Sequence, residues 1–268
     1  IDTKYPEGHA YYPCPLLVPG DKTSADVGRD IRFILDGFKN LTISGNGAVI
    51  QSHINNGETK NNGLFKISNC ENLIIDGLTI DAKREERGIK FTDYDPGLDM
   101  GRSNIEIKMC NRVIIRNVKS INGAMDGLSL ASDGQAIGNK DVLIEKCIFN
   151  NNHRQGISIE GATNVTVRNT ECSLNGTGKG IMPKSGIDVE AYGNTSDGGT
   201  YGSNNNVTIE KCYFDSNGYQ NITVNNQSYN TIIKECVLKN AYVNAQVGNS
   251  AKLINNKIID CKISTGFQ

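Results

Sequence analysis

Glu160, Asp188 and Glu190 are the residues of this 268-residue chain best placed by type and spacing to do chemistry. They lie in two copies of one short pattern, Gly156-Ile157-Ser158-Ile159-Glu160 and Gly186-Ile187-Asp188-Val189-Glu190. Alternate side chains of a strand face opposite ways, so the aliphatic residues turn to one side and the carboxylates to the other, toward solvent. Stacked one rung apart, Glu160 and Glu190 would be separated by about 5 Å, and Asp188 would lie about 7 Å from Glu190 along its strand. Carboxyls this close cannot all ionise without Coulomb cost, and at least one pKa must rise. A protonated carboxyl beside an ionised one is what glycosidic bond cleavage requires: one group protonates the leaving oxygen while the other activates water or attacks the sugar. The spacings span both the retaining and the inverting separations, which leaves the stereochemistry open.

Other groups surround this trio. Asp126, Gln155, Ser185 and Gln220 occupy the turn before successive strands, and His153 and Arg154 precede Gln155. Arg154 could clamp a sugar carboxylate with its planar fork or pair with Asp126 on the coil before. His153 has the unperturbed pKa of a proton-transfer group. Lys108 belongs to the outward column Lys108, Ala131, Glu160, Glu190, Asn225. Tyr192, Tyr201 and Tyr219 offer ring faces for sugars in a chain without tryptophan. The plain alternatives are solvation for the carboxylates and ordinary turn chemistry for Asp126-Gly127 and Asp76-Gly77. Calcium is a rival ligand for three hard oxygen donors, although it wants roughly six to eight and the loops would have to supply the rest. No Cys or His pair has zinc-ligand spacing, so no metal site is assigned.

What positions these residues is a repeat. The pattern recurs as Gly127-Leu128-Ser129-Leu130-Ala131, Asn221-Ile222-Thr223-Val224-Asn225, Asn104-Ile105-Glu106-Ile107-Lys108 and, early on, Leu64-Phe65-Lys66-Ile67. A second strand family alternates with it, reading Asn72-Leu73-Ile74-Ile75-Asp76, Arg112-Val113-Ile114-Ile115-Arg116, Asp141-Val142-Leu143-Ile144-Glu145 and four later copies through Ala251-Lys252-Leu253-Ile254. Short β-branched strands bounded by Asn and Gly at a solenoid period mean stacked coils, each burying its apolar face against the next. Apolar period two excludes amphipathic helices, and residue types kept in columns argue against a sandwich or propeller. Polar insertions between Ile80 and Asn104, from Asn175 to Lys184 and from Tyr192 to Asn205 are the expected walls of a cleft, because solenoid insertions collect on one face.

Composition narrows the partners. A net charge of −1 with no basic block argues against nucleic acid and anionic membrane surfaces. There is no apolar run of membrane-spanning length and no signal-peptide pattern at Ile1, so the first residues read as mature or truncated. Residues 1–30, with four of the six prolines, form either a cap over the first coil or the remnant of an upstream segment; residues 31–268 carry the repeats. Cys147, Cys212 and Cys236 follow their strands at one offset, with Thr170 in the same place, which predicts a column of buried free thiols and synthesis in a reducing compartment.

These repeats resemble the right-handed parallel β-helix superfamily of pectate lyases, polygalacturonases, alginate epimerases and phage tailspike depolymerases, over Ile31 to Gln268. The resemblance implies an all-β, single-stranded right-handed parallel β-helix and a polysaccharide partner, with an extracellular or virion-surface location and a homotrimer if the protein is a tailspike. It singles out no one reaction. Carboxylate acid/base hydrolysis by Asp188, Glu190 and Glu160, with Asp126, His153, Arg154, Lys108 and Tyr192 binding substrate, is the leading expectation. A lyase or epimerase on an acidic polymer is the second, since lyases of this superfamily use a basic group and a charge-neutralising cation that Arg154, His153 and Lys108 could supply. A glycan-binding or structural β-helix without catalysis is the third.

Overall fold

The computed structural model describes residues 33–51, 64–84, 103–132, 138–178, 180, 182–191, 202–225, 227–245 and 251–264. The proposed cap at 1–30 lies outside them. The described chain is all-β, a right-handed parallel coil of three sheets with no helix among these residues. The first sheet stacks β1 (Phe33–Asp36), β4 (Phe65–Ser68), β7 (Ile105–Lys108), β10 (Leu128–Ala131), β13 (Ile157–Ile159), β16 (Ser185–Val189), β19 (Gln220–Val224), β22 (Tyr242–Ala245) and β25 (Ile263–Ser264). The second stacks β2 (Thr42–Ser44), β5 (Glu71–Asp76), β8 (Asn111–Arg116), β11 (Asn139–Glu145), β14 (Ala162–Arg168), β17 (Asn204–Glu210), β20 (Ser228–Lys234) and β23 (Lys252–Ile254). The third holds β3 (Val49–Gln51), β6 (Thr79–Asp81), β9 (Lys119–Ile121), β12 (Ile148–Asn150), β15 (Glu171–Ser173), β18 (Tyr213–Asp215), β21 (Val237–Lys239) and β24 (Lys257–Ile259).

The two strand families read from the sequence are the first two sheets. The third sheet is new, because its strands are three residues long and too short to show alternation. Register holds columns together: Leu128 pairs with Ile157, Ile157 with Ile187 and Ile187 with Ile222. These residues and Leu130, Ile159, Val189 and Val224 are fully buried. In the third sheet the inner column alternates small and large as Ser120, Phe149, Cys172 and Phe214, so rings interdigitate between coils.

Asparagine is abundant because corners need left-handed residues. Asn72, Asn164, Asn206 and Asn230 adopt φ of 54–58° at one corner, and Asn117, Asn169 and Asn255 adopt 50–53° at another. Asn tolerates this conformation better than other non-glycine residues. Inside a third corner the amides stack: Asn152 donates to Asn175, Asn175 to Asn217 and Asn217 to Asn221, at 2.9–3.1 Å. Each satisfies a neighbour that water cannot reach. The described cysteines are free and all but Cys261 are buried, as the column predicts. Burial pushes the Cys110 and Cys147 thiols up to about 12.

Candidate functional site

The acidic residues converge where the first sheet turns toward the second. β13 ends at Ile159 and β16 at Val189, so Glu160 and Glu190 leave the pleat just as their side chains emerge. Arg154 reaches across from the turn before β13. It donates to both oxygens of Asp126, Nε to Oδ1 at 2.8 Å and Nη2 to Oδ2 at 2.6 Å, and Nη2 also donates to Glu160 Oε1 at 3.2 Å. Ser158 Oγ donates to the same Glu160 oxygen at 2.6 Å. Ser103 Oγ lies 3.3 Å from Asp126 Oδ2. Of its two sequence readings, Arg154 therefore takes the pairing with Asp126.

Gln155 Nε2 donates to Asp188 Oδ2 at 2.7 Å, while Asp188 hydrogen-bonds with Glu190 and Asn225 Nδ2 donates to Glu190 Oε2 at 3.3 Å. Asp188 Oδ1 is buried and finds no donor. A proton on that oxygen, directed at Glu190, would satisfy it. Burial first, and the Glu190 charge second, hold the Asp188 carboxyl well above the usual carboxylate range, in accord with that proton. Burial also raises the Glu160 carboxyl, against the opposing pull of Arg154. Burial acts to lower the Arg154 pKa, but Asp126, Glu160 and Glu190 outweigh it and keep the guanidinium charged.

One expectation needs correcting. The column Ser129, Ser158, Asp188, Thr223 faces away from the apolar core, yet it is not open to solvent: Ser158 and Asp188 are 0% exposed and Thr223 2%. Side chains from the preceding turns, Arg154 and Gln155 among them, bond to the residues of this column and of its neighbour. Spacing along a strand reports which face a residue takes, and it does not report what lies over that face.

The structure brings Asp126, Arg154 and Glu160 into one hydrogen-bonded set and Asp188 and Glu190 into a second, and the charges of the two sets act on each other. Lys108 stays apart, since its column partner on the next coil is Ala131 and Glu160 follows a further coil on. His153 is buried, and burial, Arg84 and Lys184 lower its pKa to about 4, leaving it neutral at neutral pH. The parts of an elimination site, a base and a separate neutralising cation, are thus not assembled by Arg154, His153 and Lys108. Tyr192, Tyr201 and most of the Tyr192–Asn205 and Ile80–Asn104 insertions lie outside the described residues. The Asn175–Lys184 insertion packs on the next coil, with Gly218 N donating to Asn175 O at 2.7 Å. Among the described residues no group of three or more His, Cys, Asp or Glu could hold a metal ion. Of the three carboxylates considered for calcium, Arg154 bonds Glu160 and Gln155 bonds Asp188.

Sequence reasoning placed Gln155 and Ser158 in the right columns without giving them a role. It passed over Tyr242. Tyr219 and Tyr242 meet in a tilted contact at the opening of β19 and β22, with ring centroids 5.0 Å apart and planes at 39°, and they are 42% and 36% exposed. A register shift between Gln220 and Ile222 hides Tyr242 from a reading based on constant offsets.

A family model described as a right handed beta helix region matches residues 103–268. The chain belongs to this family. Among curated proteins, this β-helix is 31% identical over 189 residues to the uncharacterized protein YclG of Bacillus subtilis, a match that takes in 63% of the chain and 31% of the relative. The chain thus spans about a third of that relative's length. Among solved structures, the Streptococcus pneumoniae surface protein and adhesin PfbA aligns at 13% identity with a TM-score of 0.48, over 87% of this chain and 69% of that one. The A-module of the Azotobacter vinelandii mannuronan C-5 epimerase AlgE6 aligns at 13% identity with a TM-score of 0.38, over 87% of this chain and 63% of that one.

Proposed function

We propose that this β-helix binds polysaccharide along the first sheet without cleaving it. The observation that carries the reading is the contrast along that sheet: Asp126, Glu160 and Asp188 are buried and bonded to protein groups, whereas two tyrosine rings in tilted contact stand exposed at the strand openings. Sugar rings present apolar C–H faces, and an exposed aromatic pair on a rigid sheet offers a preorganised partner for them. Asp126 and Glu160 are held by Arg154, and Asp188 by Gln155, so the group acts as a buried polar network that fixes the turns. An extracellular or virion-surface location accompanies a polysaccharide ligand. The test is retention of the protein on immobilised polysaccharides: the wild type is expected to be retained and a Tyr219→Ala, Tyr242→Ala double variant of unchanged fold is expected to pass through. Equal retention of both would contradict the reading.

A second reading is hydrolysis by Asp188 and Glu190. The observation that favours it is the placement of the buried Asp188 beside Glu190, where burial and the Glu190 charge hold the Asp188 carboxyl above the usual carboxylate range, as a general acid requires. Release of reducing ends that disappears in Asp188→Asn, Glu190→Gln protein would establish it.

A further inference from the structure

The geometry points to a subsite for an anionic sugar at Tyr219, Tyr242 and Lys262, on the strand-opening edge of the first sheet. It rests on the glycan-binding reading and specifies the charge of the ligand. Register places Ser185 beside Gln220 and Gln220 beside Tyr242; the pairing of Val243 with Ile263 then sets Lys262 next to Tyr242. Through Gln220 this column is buried and polar. At β22 it becomes an exposed ring, and at β25 an exposed ammonium group. The register shift after Gln220 marks the change, and there Tyr219 lies against Tyr242. Lys262 Nζ stands 5.8 Å from the Tyr242 ring centroid.

This combination has a definite chemistry. The rings give a face for a sugar, and the ammonium group, one coil or about 4.8 Å farther on, is placed for a carboxylate or sulfate borne by the sugar chain. Its contact with Tyr242 already restricts the lysine side chain, so less freedom is lost when a ligand binds. Of the exposed charges in the last coil, Lys262 is the one that meets the Tyr242 ring, while Lys252 and Lys257 belong to the second and third sheets and Asp260 precedes Lys262 by two residues. Glu190 does not cancel Lys262: from Gln220 to Asn225 the strand runs about 17 Å, twice the Debye length of about 8 Å at physiological salt. A second copy of this chain is a poorer occupant, because it would bring two Lys262 ammonium groups together.

Calorimetric titration of the full chain with three probes of matched length tests the assignment: an oligogalacturonate, a sulfated dextran oligomer and the unsulfated dextran oligomer. At least one anionic probe should bind more tightly than the neutral one, with affinity falling as salt rises. Lys262→Met should weaken the anionic probe about tenfold, toward the neutral level, as expected for loss of one charge-assisted contact. Tyr219→Ala or Tyr242→Ala should remove binding of all three. A Lys262→Met protein that keeps the full anionic preference, or a wild type that binds neutral and anionic probes equally, overturns the subsite while leaving glycan binding intact. A wild type that binds none of the three overturns both.

Discussion

Arg154 is the residue on which the acidic group depends. Its guanidinium faces Asp126, whose side chain is fully enclosed, and Glu160, which is nearly so. Removing one partner of a buried pair leaves an uncompensated charge, so Arg154→Met should destabilise the fold by about 3–5 kcal/mol in chemical denaturation. A cost under about 1 kcal/mol would mean that solvent reaches the carboxylates. Asp188 makes the opposite prediction. Its native pKa, like that of Glu160, is raised above the unfolded value, so its contribution is fully present below the unfolded pKa and is lost as pH rises through the native one. Asp188→Asn keeps the acceptor for Gln155 and the donor for Glu190 but carries no charge. The variant should therefore gain thermal stability relative to wild type at about pH 8 and lose that advantage at about pH 4; a constant difference across this range would refute the proton on Asp188. The sequence supplied the residue types of the group, the columns of Glu160, Asp188 and Glu190, and the turn positions of Asp126 and Arg154. What it could not supply was Arg154's choice between Asp126 and a ligand, because that choice depends on side chains from another coil.

Each coil is held by close approach at its corners and by interlocking at its centre. A Cβ on Gly156 would stand 2.6 Å from the Gly186 carbonyl oxygen, a backbone atom with little room to move. Gly156→Ala should therefore cost more than an ordinary surface substitution and shift the turn that carries Arg154 and Gln155. Phe149→Ala or Phe214→Ala empties a dry site between coils and should cost about 3–5 kcal/mol in equilibrium unfolding. The first two sheets were readable because their aliphatic residues alternate within longer flanking patterns that recur from coil to coil, even where the strand itself is as short as Ile157–Ile159. The third sheet escaped notice, since Ile148-Phe149-Asn150 and Glu171-Cys172-Ser173 are too short to show a period. The thiol column was readable because its cysteines follow recognised strands at one recurring offset, and they are buried in the structure.

At the scale of the whole molecule one sheet carries two kinds of surface, an enclosed polar network spanning the strands of its middle coils and exposed rings at the strand openings farther along. The fold is common to proteins of many activities, so function must be argued from this asymmetry. The measurement that tests it most directly is incubation of the protein with acidic and neutral polysaccharides while bound protein, reducing ends and unsaturated products are all followed. Binding that depends on Tyr219 and Tyr242, with neither product formed, is the predicted result. Turnover that vanishes in Asp188→Asn, Glu190→Gln protein would contradict it and make the enclosed carboxylates the working site.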